Sequence, residues 1–404
     1  MELSKVIYVL SLLLLSQLAN AGGLWLNEYG TPAMGRAGAG AQAGVNDSST
    51  VLHNPATMSR LDDRQWMATG GLAYTQTEFD LERTLPNVNG TNDGGDAGDI
   101  LPGASAFYVD PDFRERWSWG ISAAGLAGTG LDYSDSWAGR YQAQRIELLT
   151  LAVSPSLAYR VTDWFSVGGS AQMVYGKLEL ELAVPNLAQD QPDGSGKIDG
   201  DDTILAYNLG AMIELSDVTR VGVLYQSEWG FEFSGDAKFS RQDITPVGVD
   251  TDLPLAEFLR IAVTHQINDE TGLHATLGWD NWSALDKVSL STNTNGISID
   301  TNWNDTYHYA LGVDYRVSSN WLLSTGIAYD TNPVSQEDRN AQLPVDRQVR
   351  YAFGAQHQYV GPFSVGGQIV YADLGKARIQ SLGYGGEYKT NKAFFFSINA
   401  NWLL

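Results

Sequence analysis

The side chains best suited to acid–base or metal chemistry are five histidines: His53, His265, His274, His308 and His357. No two of them have the H-E-x-x-H spacing that puts two imidazoles on one metal. A serine nucleophile would need a sharp elbow, and the chain has no G-x-S-x-G. Each histidine therefore reads as a lumen, loop or interface residue, and neither catalysis nor a cofactor is expected. The run from Asp190 to Asp199, DQPDGSGKID, has oxygen ligands and turn residues that could suit Ca²⁺. It lacks the D-x-[DN]-x-[DN]-G spacing and the closing Glu. An acidic, solvated loop is expected there, and no metal. The formal net charge of −22 removes nucleic acid as a partner, since that needs a basic footprint.

The elements that would position such residues begin with an export signal. Residues 1–5 are a short polar start, 6–15 are apolar, and Ala19-Asn20-Ala21 forms an A-x-A cleavage site. The expected organisation is a signal peptide over 1–21, a distinct segment over 22–64 and one large domain over 65–404. No later run is apolar enough for a membrane helix. Aromatic residues nevertheless make up 11% of the chain and charged residues only 18%, with 43 glycines and no cysteine. An exported chain of this kind points to a transmembrane β-barrel.

The strand pattern agrees. Leu149, Leu151, Val153, Pro155, Leu157, Tyr159 and Val161 alternate with Thr150, Ala152, Ser154, Ser156, Ala158 and Arg160. Tyr307 to Val317, Trp321 to Tyr329 and Phe394 to Leu404 repeat the alternation, predicting apolar faces toward lipid. Short turns at 162–163, 216–217, 268–269, 318–319 and 360–361 alternate with long segments near 83–99, 132–146, 185–202, 241–252, 292–302, 331–345 and 381–388. Short turns at one end and long loops at the other predict about fourteen antiparallel strands, an even number as bacterial barrels require. Pro155, mid-strand, predicts a bulge or a local gap.

Residues 22–64 lack strand alternation and are rich in Gly and Ala. Asn54-Pro55-Ala56 predicts a short helix starting at Pro55 with Asn54 as its cap. Any helix through Val51 and Leu52 must stop near His53, because a residue before proline avoids the helical region. Small side chains in compact turns suit packing inside something hollow.

Asn27-Glu28, Gly35-Arg36-Ala37, Asn46-Asp47 and Asn54-Pro55-Ala56, in this order after a signal peptide, resemble the plug of the outer-membrane long-chain fatty-acid transporter family (FadL/TodX/OmpP1 type). Trp119-Gly120, Trp137-Ala138-Gly139, Tyr225-Gln226-Ser227-Glu228, Trp282-Ser283 and Gly326-Ile327-Ala328-Tyr329-Asp330 extend the likeness over nearly the whole mature chain. The resemblance implies an all-β fold: a fourteen-stranded barrel with a partly helical plug in its lumen. It implies passive uptake of a hydrophobic small molecule across the outer membrane. The leading substrate is a long-chain fatty acid, the alternative an aromatic hydrocarbon or other neutral compound; a structural barrel or adhesin is a further reading. The implied partners beyond the substrate are membrane lipid and lipopolysaccharide, and the implied state is a monomer. Lys177 stands at the position that resembles the family's carboxylate-binding residue, with pairing to Glu179 or Glu181 as its other reading. Arg140 and Lys287 are further candidates. The family's lateral exit lies at a kink in the third strand, here 117–131, where Gly125, Gly128 and Gly130 provide weak points and Gly128 is favoured. The family's usual Pro-Phe-Gly-Leu or similar segment is replaced by small residues. The chain ends in Leu404 where many such barrels end in Phe, with Trp402 on the same face.

Overall fold

Alternating side chains force each strand of this chain to present one face to lipid and one to an interior. A sheet with two such faces leaves no unpaired backbone in a membrane only if it closes on itself. The computed structural model shows that closure. It describes residue 25 and residues 30–85, 90–185, 192–240, 246–285, 287–291, 296–344 and 346–404, with side chains of 287–290 and 296–300 excepted. The expected signal peptide, most of the segment 22–29, Asp190 and the Lys287 side chain lie outside the described residues.

The barrel has 14 antiparallel strands. In chain order these are β1 (Gln65–Thr84), β2 (Ile100–Arg114), β3 (Trp117–Ala124 and Gly128–Asp132), β4 (Arg145–Arg160) and β5 (Phe165–Val184). Next come β6 (Gly194–Ser216), β7 (Thr219–Gln226 and Trp229–Phe239), β8 (Val247–Leu255 and Phe258–Gln266), β9 (Thr271–Asp280 and Lys287–Ser291) and β10 (Gly296–Asp300 and Thr306–Ser318). The last are β11 (Trp321–Asp330), β12 (Gln348–Gln358), β13 (Phe363–Asp373 and Ile379–Gln380) and β14 (Tyr384–Leu403). The ring closes where β1 pairs with β14, from Gln65 opposite Leu403 to Thr84 opposite Tyr384.

The predicted faces hold. Leu149, Leu151 and Leu157 are exposed on β4, whereas Thr150, Ala152, Ser154 and Ala158 are buried. Trp66 and Trp402 stack 5.7 Å apart near the short-turn end, as part of an interfacial aromatic belt. Pro155 produces a gap without a bulge. Val153 pairs with Met173 and Ser156 with Ser170, so the register is the same on both sides of it. At the long-loop end Phe79, Trp137, Tyr384 and Tyr388 are fully buried together, and Tyr133 stacks 4.2 Å over Trp137. The Tyr133 and Tyr388 hydroxyls meet at 2.7 Å, tying the β3–β4 loop to β14.

The segment before β1 packs inside the barrel. It forms 3-10 turns over Pro32–Arg36 and Ala41–Ala43, one α-helical turn, α1 (Thr50–His53), and a further 3-10 turn over Pro55–Arg60. Asn54 accepts from the Ala56 N–H at 3.1 Å, and its amide donates to Gln42 O at 2.7 Å and to Ala211 O of β6 at 3.0 Å. One side chain thus joins three parts of the chain. The wall makes room with glycines. A Cβ at Gly222 of β7 would fall 1.8 Å from Gln42 O, and one at Gly210 of β6 would fall 1.9 Å from Asn54 Oδ1. Across the lumen Arg36 pairs with Asp314 of β10 at 2.8 Å, and Gly326 and Gly354 admit its backbone and that of Gly35.

Candidate functional site: a window in the wall and a cavity behind it

Strand β3 is broken at residues 125–127. Below the break Ser105 to Val109 of β2 pair with Ala124 to Gly120. Above it Gly128–Asp132 pair with β4 alone, and Ile100–Ala104 of β2 pair with β1 alone. The ladder between β2 and β3 is therefore missing over this stretch. Residue 132 closes the upper edge, where its N–H donates to Ala97 O at 3.0 Å. Thr150 steps into the broken strand. Its hydroxyl accepts from Ala127 N–H at 2.9 Å and donates to Ala127 O at 2.7 Å. A side chain thus satisfies backbone groups that lost their ladder, as buried polar groups require.

A cavity of about 480 Å³ occupies this window. Leu72, Leu101, Leu149 and Phe396 line it, and it reaches inward to Gly30 and Met34. Gly125, Gly128 and Gly130 all lie at the window. A Cβ at Gly130 would meet Leu101 at 3.0 Å across the gap.

A second cavity, of about 40 Å³, lies on the lumen side, lined by Trp25, Leu126, Phe258, Arg260 and His308 among others. Trp25 stands between the two. It forms an isolated bridge with Ala127, its indole N–H donates to Ala256 O at 3.0 Å, and its ring meets Trp229 edge-on at 4.6 Å. Arg260 is buried and paired with Asp280 at 2.8 Å, with its guanidinium 4.6 Å from the Phe258 ring. Neither Trp25 nor Arg260 stood out in the sequence. The available signal for Arg260 was parity: it falls on the inward face between the outward Leu259 and Ile261.

Of the three basic residues expected at the site, Lys177 and Arg140 line neither cavity. Lys177 is exposed on the outer face of β5, opposite Leu149 and Asp201, with Met173 and Tyr175 on the same side. Leu178, Leu180 and Leu182 point inward and are buried. The rule that apolar means outward reverses here, because these leucines join the apolar core inside the barrel. Glu179 bonds Lys197 at 2.7 Å instead of Lys177. We expect Lys177→Ala to leave uptake of labelled oleate within twofold of the native rate; a large loss would return Lys177 to the path. Arg140 lies in the β3–β4 loop, 3.0 Å from Asp193 and 4.3 Å over the Tyr141 ring, and lines neither cavity. Of Lys287 only the backbone is described, at the start of the outer part of β9. In the acidic run, Asp193 meets Arg140 and Asp199 meets Lys238 at 3.0 Å.

A plugged, closed barrel with an apolar window toward the membrane defines an outer-membrane transport protein. The family profile described as outer membrane protein transport protein (OMPP1/FadL/TodX) matches residues 12–398, and the chain belongs to that family. It is 24% identical to the long-chain fatty acid transport protein of Escherichia coli K12, over 99% of this chain and 98% of that one. It is 25% identical to outer membrane protein P1 of Haemophilus influenzae, over 90% and 86%. Among solved structures, a Pseudomonas aeruginosa FadL homologue superposes with a TM-score of 0.87 at 22% identity, covering 94% of this chain and 99% of that one. The toluene transporter TodX of Pseudomonas putida gives 0.68 at 15%, covering 90% and 99%. The protein is a multi-pass barrel of the outer membrane.

Proposed function

We propose that the protein takes up long-chain fatty acids passively and releases them sideways into the membrane through the window between β2 and β3. The carrying observation is the pair of cavities separated by Trp25 and residues 125–127. A ligand in the inner cavity finds aromatic and aliphatic walls with one buried guanidinium, a combination suited to a chain with a carboxylate head. Displacement of Trp25, with the plug held by Asn54 and Arg36, joins the inner cavity to the window. A ligand drives that movement only by binding better to the open arrangement than to the closed one. The barrel acts as a monomer whose outer face meets membrane lipid and lipopolysaccharide. Relatives named for long-chain fatty acid transport support this substrate.

The second reading, uptake of a neutral aromatic compound, draws on Arg260 already being matched by Asp280, and on neighbours named as toluene transporters. One comparison separates the two. Removing only the arginine would strand a buried carboxylate, so both partners are changed. In Arg260→Gln with Asp280→Asn, labelled oleate uptake should fall about tenfold, the order of one lost charge-assisted contact, while toluene uptake stays near native. Unchanged oleate uptake, or equal loss of both, would remove Arg260 as the head-group contact.

A further inference from the structure

Beside the inner cavity, the inward faces of β8 to β12 carry a cluster of charges. Arg260, Gly278, His308, Asp330 and Gln348 lie opposite one another in one row across five strands. Gly278 leaves the space that Arg260 fills, since a Cβ there would fall 2.6 Å from its Nη1. Arg260 meets Asp280 at 2.8 Å, Arg350 meets Asp330 at 2.5 Å, and His308 Nδ1 lies 2.8 Å from Asp330 Oδ1. These five side chains are 3% to 5% exposed. Facing a carboxylate, Nδ1 is the nitrogen that carries hydrogen and donates, which leaves Nε2 as an acceptor. Nε2 has no hydrogen-bond partner among the described residues. From the plug, His53 lines the same cavity, while Arg36 is matched by Asp314, which also meets His274 at 3.1 Å.

Among the described residues, Arg260 is matched by Asp280 and Arg350 by Asp330 while His308 is neutral. A carboxylate placed in the cavity that Arg260 and His308 line adds one negative charge to a buried cluster in which both arginines already face an aspartate. An unmatched charge in such a place is costly. We propose that binding of a fatty-acid carboxylate in the inner cavity is coupled to uptake of one proton by His308. The proposal rests on the fatty-acid reading above. One N–H bond forms, at Nε2, with a proton from solvent, and no bond of the ligand changes. The resulting imidazolium lies between the ligand carboxylate and Asp330. A neutral hydrocarbon brings no charge and needs no proton.

Titration calorimetry on the full chain in detergent tests this, at pH 7.5 in two buffers of unlike ionisation enthalpy. Oleate should bind with uptake of about one proton, and oleyl alcohol with none. His308→Gln should bind oleate without uptake. Because the bound state holds the extra proton, oleate affinity in the native protein should fall as pH rises, by about tenfold per pH unit where one full proton is taken up. In His308→Gln it should be flat over the same range. Zero uptake with oleate, or equal uptake with oleyl alcohol, overturns the proposal. Uptake that persists in His308→Gln also overturns it, since another group or the acid itself then takes the proton. If that variant does not assemble, the oleate and oleyl alcohol comparison in the native protein decides. If toluene binds and oleate does not, the fatty-acid reading itself falls, and the coupling with it.

Discussion

Gly128→Trp will assemble a normal barrel and take up labelled oleate at least tenfold more slowly than the native chain. Residue 128 pairs with Leu149 at the start of the strand segment above the break, and it lines the window cavity. A Cβ there would lie 3.1 Å from Leu148 O, a tight contact that a shift of a few tenths of an ångström relieves. Assembly should therefore survive, as judged by migration of unheated and heated samples. The indole would stand on the same face as its cross-strand partner Leu149, at the mouth of the cavity that Leu72, Leu101 and Phe396 also line. Binding of oleate in the inner cavity should stay within about threefold of native, because Arg260 and His308 lie on the far side of Trp25. Loss of transport with retained binding would place the block after the binding step. Normal transport in an assembled Gly128→Trp protein would rule the window out as the exit.

Much of the barrel was legible in the chain because membrane and lumen impose opposite demands on alternate residues. Leu149, Leu151 and Leu157 could be assigned to lipid from their neighbours alone, and the short turns fell where they were expected. The Asn54 cap was legible for a local reason, since side-chain oxygen and following proline act within one turn. The binding cavity was not legible, for a topological reason. Arg260 and His308 are 48 residues apart in sequence and become neighbours only through the register of β8, β9 and β10. No local pattern encodes that row. The outward placement of Lys177 was not legible for a different reason. In the stretch Lys177-Leu178-Glu179-Leu180-Glu181-Leu182 the alternation is clear, but its sign depends on whether lipid or water lies outside. There the leucines turn inward and join the buried core. Trp25 could not be ranked above the other tryptophans until the break at 125–127 supplied the edge to which it bridges.

The plug gives the second large effect. Gly222→Leu should assemble a barrel whose plug is unseated, making cells at least tenfold more sensitive to a large polar antibiotic such as vancomycin. The atom that a Cβ would strike is the Gln42 carbonyl oxygen at 1.8 Å, with the carbonyl carbon at 2.4 Å and the Ala43 Cα at 2.8 Å. These are backbone atoms of a tight turn, so no rotamer change relieves the clash, and overpacking of this kind exceeds the usual cost of about 1–3 kcal/mol. The barrel has hydrogen-bonded ladders on both sides of Gly222, to Met212 and Ala262, whereas the turn holding Gln42 has none. The turn should therefore yield, and it should take with it the Asn54 amide bond to Gln42 O. Arg36 and Arg60 give the readout. The native protein buries Arg36 at 6% exposure and largely covers the Arg60 side chain, at 9%. Trypsin should cut at both in Gly222→Leu and spare both in the native barrel. Gly70→Leu is the control. It adds the same side chain to a strand glycine that has nothing within 4 Å of its Cβ position, on the face toward lipid. If Gly222→Leu remains trypsin-resistant and vancomycin-resistant while assembled, the turn at Gln42 is not what holds the plug against β7.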